Sequence, residues 1–282
     1  MTDKAFAQAD PDWLALIGAA REWLAGPLGQ FLLDEERRML EDELGRFFGG
    51  YLVHYGPSAQ TPPSAPQVQR NVRLGAPLPG VEIVCEEQAW PLSEHAADVV
   101  VLQHGLDFCL SPHGLLREAA SSVRPGGHLL IIGINPWSTW GLRHVFAHDA
   151  LRQARCISPS RVADWLNLLG FALEKRRFGC YRPPLASPKW QARLAGWERK
   201  AGDWQLSGGG FYLLVARKIV VGLRPVRQER REPMGKLIDS AADGQGQPPS
   251  YRTVNLLFYS GRTCSGRGHR RSAIDGARHF SG

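Results

Sequence analysis

Three short stretches of this 282-residue chain place groups able to do chemistry where an apolar run stops. Gln103-His104 follows the run Asp98–Leu102, and a histidine, with an ordinary pKa near neutrality, suits general-base work. A histidine at the end of a core strand also serves as a hydrogen-bonded structural group. Glu86-Glu87 follows the run Val81–Cys85; a carboxylate there can accept hydrogen bonds from a ligand or stand solvated. Asn135-Pro136-Trp137-Ser138-Thr139-Trp140 follows His128–Ile134. An amide beside two indoles can wall a small-molecule pocket, and the indoles can equally pack into the core. His144 and His148 come next, facing either that pocket or solvent. Lys175-Arg176-Arg177, with Arg143, Arg152, Arg155, Arg161 and Arg182, could draw in an anionic acceptor or a nucleic acid. The same cations could instead complement an acidic N-terminal segment, and no RNA-binding motif accompanies them.

Charge is partitioned along the chain. Residues 1–142 hold 9 Lys/Arg against 17 Asp/Glu, residues 143–221 hold 14 against 5, and residues 222–282 hold 11 against 5. Cys85, Cys109, Cys156, Cys180 and Cys264 are scattered and never form a CxxC pair, so neither a disulfide framework nor a metal site is expected. This usage fits a reducing, cytoplasmic setting. No run approaches the ~20 apolar residues of a membrane helix, and the start MTDKAFAQADPDW lacks the features of a signal peptide.

The elements that must position these groups follow from periodicity. Asp10-Pro11 opens a helix whose apolar stripe is Trp13, Ile17, Ala20 and Leu24, interrupted at Gly26-Pro27. Asp34 is read as the cap of a second helix with the stripe Met39, Leu40, Leu44 and Phe47, stopped by Gly49-Gly50. Strands are expected at Tyr51–Tyr55, Val68–Leu74, Val81–Cys85, Asp98–Leu102, His128–Ile134, Phe171–Tyr181 and Phe211–Ile219. The fourth and fifth are nearly continuous in Val, Leu and Ile, as strands covered on both faces are. Ser111–Val123 between them reads as a crossover helix, with Arg124-Pro125-Gly126-Gly127 turning the chain into the next strand. That makes a βαβ unit and a parallel sheet. Ser158-Pro159 starts a further helix that Gly170 closes. The last two strands are joined by a long Trp- and Arg-containing loop expected to face substrate or move.

The stretch Glu86–Pro136 closely resembles the middle of type 11 S-adenosylmethionine-dependent methyltransferases. The matching residues are Glu86, Trp90-Pro91-Leu92, Asp98, the strand Val99–Leu102 and Arg124-Pro125-Gly126-Gly127. Asn135–Gly141 resembles an uncharacterised bacterial subgroup, and the likeness runs from about residue 12 to 218. It implies an α/β, Rossmann-like class I sheet of seven strands, order 3-2-1-4-5-7-6, with helices on both faces, the strand Phe211–Ile219 inserted antiparallel, and a helical N-terminal lead-in. It also implies S-adenosyl-L-methionine as cofactor. On that likeness Glu86 meets the adenine amino group, with Glu87 beside it, Gln103 and His104 floor the sulfonium, and Tyr55 and Gly56 lie in the first cofactor loop. Ligands in such sheets lie outside the carboxyl ends of the strands.

The sequence departs from the family in one place. Leu52–Ser58 holds one glycine and no acid, and Ala59–Pro66 carries three prolines where the family has a helix. No acid for the ribose is evident around Leu74-Gly75-Ala76. Asn135-Pro136-Trp137 is not the Asn-Pro-Pro-Tyr motif of DNA amino-methyltransferases, which follows strand four, whereas this one follows strand five.

The organisation expected is a lead-in over 1–50, a methyltransferase-like domain over 51–221 and a basic, disordered tail over 222–282. The function expected is methyl transfer by in-line positioning to a small-molecule or anionic acceptor, with His104 as the base if one is used and Asn135, Trp137 and Trp140 walling the acceptor. The alternatives are a cofactor-less relative acting as an interaction module and an RNA methyltransferase.

Overall fold

A computed structural model describes residues 9–58, 62–184 and 207–220. The elements run α1 (Pro11–Ala25), α2 (Pro27–Leu44), β1 (Gly49–Tyr55), β2 (Val68–Gly75), β3 (Ile83–Val84), β4 (Ala97–Gln103), α3 (Pro112–Ser122), β5 (Val123–Ile134) and α4 (Thr139–Phe146). A 3-10 turn (Ala150–Gln153), α5 (Pro159–Leu168), β6 (Phe171–Gly179) and β7 (Phe211–Lys218) complete them. The strands form one sheet in the order β3-β2-β1-β4-β5-β7-β6. β7 is antiparallel to both β5 and β6, and the other pairs are parallel. This is the Rossmann-like, seven-stranded class I arrangement expected from the sequence.

The Val- and Leu-rich β4 is buried along its whole length because helices cover both faces of the sheet. Val100, Leu102 and Ile131 pack with Leu115, Leu116 and Ala119 of α3 and with Val162 and Leu166 of α5. On the opposite face Val99, Val101, Leu130 and Ile132 meet Trp13 and Ile17 of α1, Leu40 and Leu44 of α2, and Trp140 of α4. The connection from β1 to β2 holds no helix among the described residues, as its prolines dictate.

Three local expectations need correction. The second helix starts at Pro27, not at Asp34, with Gly26 as its cap residue. Proline fits the first helical turn, where its missing N–H has no intrahelical partner to lose. The corner is also tight enough that a Cβ at Gly29 would lie 2.4 Å from the Leu24 Cα. Asp34, Glu35 and Glu36 therefore fall inside α2 rather than at its entry. The helix ends at Leu44, and Gly49-Gly50 opens β1 instead of stopping the helix. Arg124-Pro125-Gly126-Gly127 belongs to β5 rather than preceding it; the register slips between Ala97 and Val99, and Gly126 takes φ +80°. Only glycine adopts that backbone without strain.

Asp98 explains both of the last two findings. One carboxylate oxygen accepts from the Gly50 and Tyr51 amides at 2.7 and 2.9 Å, and the other pairs with Arg124 at 2.7 Å. It thus fastens the start of β1 to the start of β5, at the edge opposite the ligand edge. A Cβ at Gly49 would lie 2.4 Å from its Cγ, so the glycine admits the anchor. Asp98→Ala is expected to cost about 2–3 kcal/mol, because two amides and a guanidinium lose a charged partner. A urea midpoint unchanged from wild type would show the anchor to be dispensable.

No helix among the described residues is long and apolar enough to cross a membrane. The expected tail, 222–282, and most of the loop between the last two strands lie outside the described residues.

Candidate active site

The carboxyl edge of the sheet is organised by a buried chain of polar side chains reaching from α2 to β4. His104 follows β4 with φ +56°, a backbone region that few non-glycine residues occupy. Its Nδ1 lies 2.9 Å from Asp107 Oδ2 and its Nε2 lies 2.7 Å from Glu36 Oε1. The second Glu36 oxygen accepts from the Gln103 amide at 2.7 Å. The Gln103 carbonyl oxygen faces His54 Nε2 at 3.0 Å, so His54 must donate there. His104 and Glu36 are both fully buried.

The two histidines of this buried cluster, His104 and His54, are pushed in opposite directions. Burial alone would lower the His104 pKa, but the Glu36 and Asp107 carboxylates outweigh it and push it up to about 10. His104 is therefore an imidazolium donating from both nitrogens at neutral pH. Burial, reinforced by the Arg73 guanidinium, lowers His54 to about 4 and keeps it neutral.

His104 accordingly has neither a free nitrogen nor an abstractable vacancy for a substrate proton, and the expectation of a base at this position is corrected. Gln103 is likewise engaged at both ends of its amide. Gly56, the one glycine of the first loop, also faces inward: a Cβ there would lie 2.1 Å from the Gln103 carbonyl oxygen. These residues lock the N-terminal helices onto the end of β4.

Beyond β3 the picture differs. Glu86 is half-buried and lines a cavity of about 160 Å³ with Asp10, Trp13, Glu87, Gln88 and Leu110. Its carboxylate has no hydrogen-bond or ion-pair partner among the described residues. Glu87 is already committed, because its two oxygens accept from the Leu110 and Ser111 amides. Tyr55 is buried and stacks on Trp90, with ring centroids 5.3 Å apart. Its hydroxyl and the indole N–H of Trp13 approach one another without reaching hydrogen-bonding geometry, so both donors are buried and unsatisfied. Burial keeps the Tyr55 phenol protonated by raising its pKa well above the usual value.

A larger cavity, about 740 Å³, opens beyond the carboxyl ends of β4 and β5, between the first turns of α3 and α5. Of the residues expected to wall an acceptor, Trp137 lines it and is 81% exposed. Asn135 does not: its amide donates to the Ser207 and Gly209 carbonyls at 2.8 Å each and accepts from the Trp137 amide. Trp140 is fully buried and donates to the Arg182 carbonyl at 2.9 Å. His144 lies on α4 and His148 just beyond it, and neither lines the cavity.

The basic set splits in two. Lys175 and Arg177 pair with Glu43 and Asp42, Arg182 pairs with Glu35, and Arg143 pairs with Asp149. Lys175, Arg177 and Arg182 therefore complement the acidic α2, whereas Arg152 and Arg176 make no ion pair with a described residue. Arg155 and Arg161 instead line the larger cavity.

Residues 58–131 match the family model described as a methyltransferase domain, and that stretch supplies β2, β3, β4, α3 and most of β5 of a sheet with the order given above. That stretch is similar to a methyltransferase domain, and it lies in a sheet of the class I strand order. The uncharacterised protein YafS of Escherichia coli (strain K12) is 29% identical over 222 residues, covering 75% of this chain and 87% of its own. A SAM-dependent methyltransferase, possible histamine N-methyltransferase, from Thermotoga maritima superposes with a TM-score of 0.50 at 15% identity. It covers 73% of this chain and 99% of its own, a likeness of fold.

Within this domain, S-adenosylmethionine fits best at its adenosine end. The unpaired Glu86 acceptor and the unsatisfied Trp13 and Tyr55 donors are the complements an adenine and a ribose require. The cavity there, about 160 Å³, is smaller than the roughly 300 Å³ at which small-molecule sites begin, so it matches part of a cofactor rather than the whole. Sequence reasoning missed Trp13, Glu36 and Asp107. Glu36 was detectable, since it falls with Leu32, Leu33 and Leu40 on one helical face, and an acid on an apolar stripe needs a buried partner.

Proposed function

We propose that the domain methylates a small-molecule acceptor with S-adenosylmethionine, the cofactor's adenosine lying against Glu86 and the acceptor occupying the cavity beyond β4 and β5. The observation that carries this is the placement of both cavities on one edge. They flank the point where the strand order reverses between β1 and β4, which is where open α/β sheets bind their ligands.

Bound S-adenosylmethionine would supply an activated methyl group, so orientation of the acceptor can account for much of the rate. Glu86 accepts from the adenine amino group, and Trp13 and Tyr55 donate to the nucleoside. Trp137 walls the acceptor, and the His104 cluster fixes the end of β4 between the two cavities rather than moving a proton. Cys85, Cys109, Cys156 and Cys180 are free thiols, consistent with action in a reducing cytoplasm.

S-adenosylhomocysteine, the demethylated product, tests the reading without an acceptor. At a hundredfold excess over its Kd it should raise the Tm by about 5–10 °C. Glu86→Ala should weaken its binding about tenfold, the value of one hydrogen bond to a charged group. Absence of both a Tm shift and a heat of binding at millimolar ligand would leave a cofactor-less interaction module. Unchanged affinity in Glu86→Ala would remove the adenine assignment alone.

A further inference from the structure

We infer that the cavity beyond β4 and β5 selects a planar acceptor carrying a negative charge, held through Arg155 and Arg161 against an aromatic wall. This rests on the methyl-transfer reading and names the class of acceptor that reading leaves open. His113, Trp137, Arg155, Arg161 and Trp165 line the cavity, and no acid is among the lining residues. Arg155 and Arg161 are the two members of the basic set that line the cavity, and neither has an acidic partner among the described residues.

Arg155 is oriented but not neutralised. Its Nε and Nη2 donate to the Cys109 and Leu110 carbonyls at 2.7 and 2.6 Å, and its main-chain N–H donates to the Asp107 carbonyl at 2.8 Å. Two neutral acceptors fix the plane of the guanidinium while leaving its charge and its Nη1 edge free. Arg161 makes no hydrogen bond or ion pair with any described residue and projects from the first turn of α5. A planar fork of N–H donors matches a carboxylate or a phosphate better than it matches a neutral carbonyl.

The remaining walls favour a flat, unsaturated body. The His113 ring lies 4.0 Å from that of Trp165, inclined at 51°, and Trp137, largely exposed, lines the same cavity. Large exposed indoles rimmed by polar groups mark binding surfaces, and aromatic faces stack on planar ligands. A volume of about 740 Å³ lies within the range of small-molecule sites and is far below that of a folded macromolecular partner. The acidic group acts as the handle, leaving a nucleophile elsewhere on the acceptor to take the methyl group.

The test uses the full chain and a matched pair of probes, 2-naphthoate and the isosteric, neutral 2-naphthamide, followed by calorimetry. The acid should bind at least about tenfold more tightly than the amide, and Arg161→Ala should remove that preference while leaving amide binding unchanged. Arg155→Lys, which keeps a cation but not the fork, should weaken the acid more than the amide. Equal affinity for the two probes, failure of the acid to bind at millimolar concentration, or retention of the preference in Arg161→Ala would each overturn the inference. The same titrations run with S-adenosylhomocysteine separate the two readings. Cofactor-product binding without acid selectivity defeats this inference alone; acid selectivity without cofactor-product binding defeats methyl transfer and leaves the anionic pocket standing.

Discussion

Glu36→Ala is expected to lower the unfolding free energy by about 3–5 kcal/mol, the cost of stripping one partner from a fully buried ion cluster. The substitution leaves the His104 imidazolium, completely buried, with Asp107 as its one charged partner and frees the Gln103 amide that Glu36 now accepts. Asp107 Oδ2 already serves both His104 and the Ile134 amide at 2.9 Å, and its Oδ1 is buried without a partner. For a domain of this size the loss corresponds to a Tm lower by roughly 10 °C. Glu36→Gln keeps the volume and one acceptor, so it should fall between wild type and alanine. Equilibrium urea unfolding of the three proteins reads the effect, and an alanine variant within about 1 kcal/mol of wild type would rule out the cluster as a lock. The size of the loss is not a measure of what the cluster adds over an apolar substitute. Buried ion groups replaced as a whole by well-packed apolar side chains often cost nothing.

The same chain of side chains predicts a stability curve that falls on both sides of neutrality, with a different histidine responsible for each limb. The folded pKa of His104 is raised above its unfolded value, from 6.5 to about 10. Its contribution is therefore complete below about pH 6.5 and is lost as pH rises toward 10. The folded pKa of His54 is depressed, from 6.5 to about 4. The unfolded chain binds that proton first, and stability is lost as pH falls from 6.5 toward 4. Each limb should amount to a few kcal/mol, since one pKa unit is worth about 1.4 kcal/mol. Melting curves between about pH 5 and about 8.5 favour the histidines, because carboxylates titrate near the lower end and unfolded thiols begin to ionise near the upper end, while Cys85 in the fold is pushed up to about 12 by burial. His54→Gln should flatten the acid limb and leave the alkaline limb unchanged. A variant whose acid limb matches that of wild type would assign the acid sensitivity to other groups.

These two effects show where function and stability part company in this molecule. His104 sits beside the edge that binds ligands, yet its chemistry is spent on holding α2 to β4. The groups still available to a ligand are Glu86 at the end of β3, the buried Trp13 and Tyr55 donors, and Arg155 and Arg161 beyond β5, whose charges meet no acid among the described residues. Availability, rather than proximity to the carboxyl edge, distinguishes a candidate binding group from a structural one.

Much of the architecture was legible in the residues themselves. The apolar runs of β4 and β5, the crossover helix between them and the Asp10-Pro11 entry to α1 are local patterns, and local sterics and burial decide them. The prolines of residues 57–66 forbade a helix between β1 and β2 for the same reason. Glu86 stood at the end of its strand by order alone. What the sequence could not decide was which polar groups would find partners far away along the chain. Glu36 meets His104 across 68 residues and Lys175 meets Glu43 across 132, and no spacing rule records such a meeting. Those pairings turned His104 from a candidate base into an imidazolium lock, and turned Asn135 and Trp140 into braces for the loop before β7. The same packing left Arg155 and Arg161 uncompensated beside a cavity. The strands, the helices and their succession thus follow from short-range pattern, whereas the strand order and the carboxyl edge as the place for a ligand came from the family resemblance. The role of each residue on that edge follows from long-range packing, because a polar side chain acts on a ligand only where the fold has not already satisfied it.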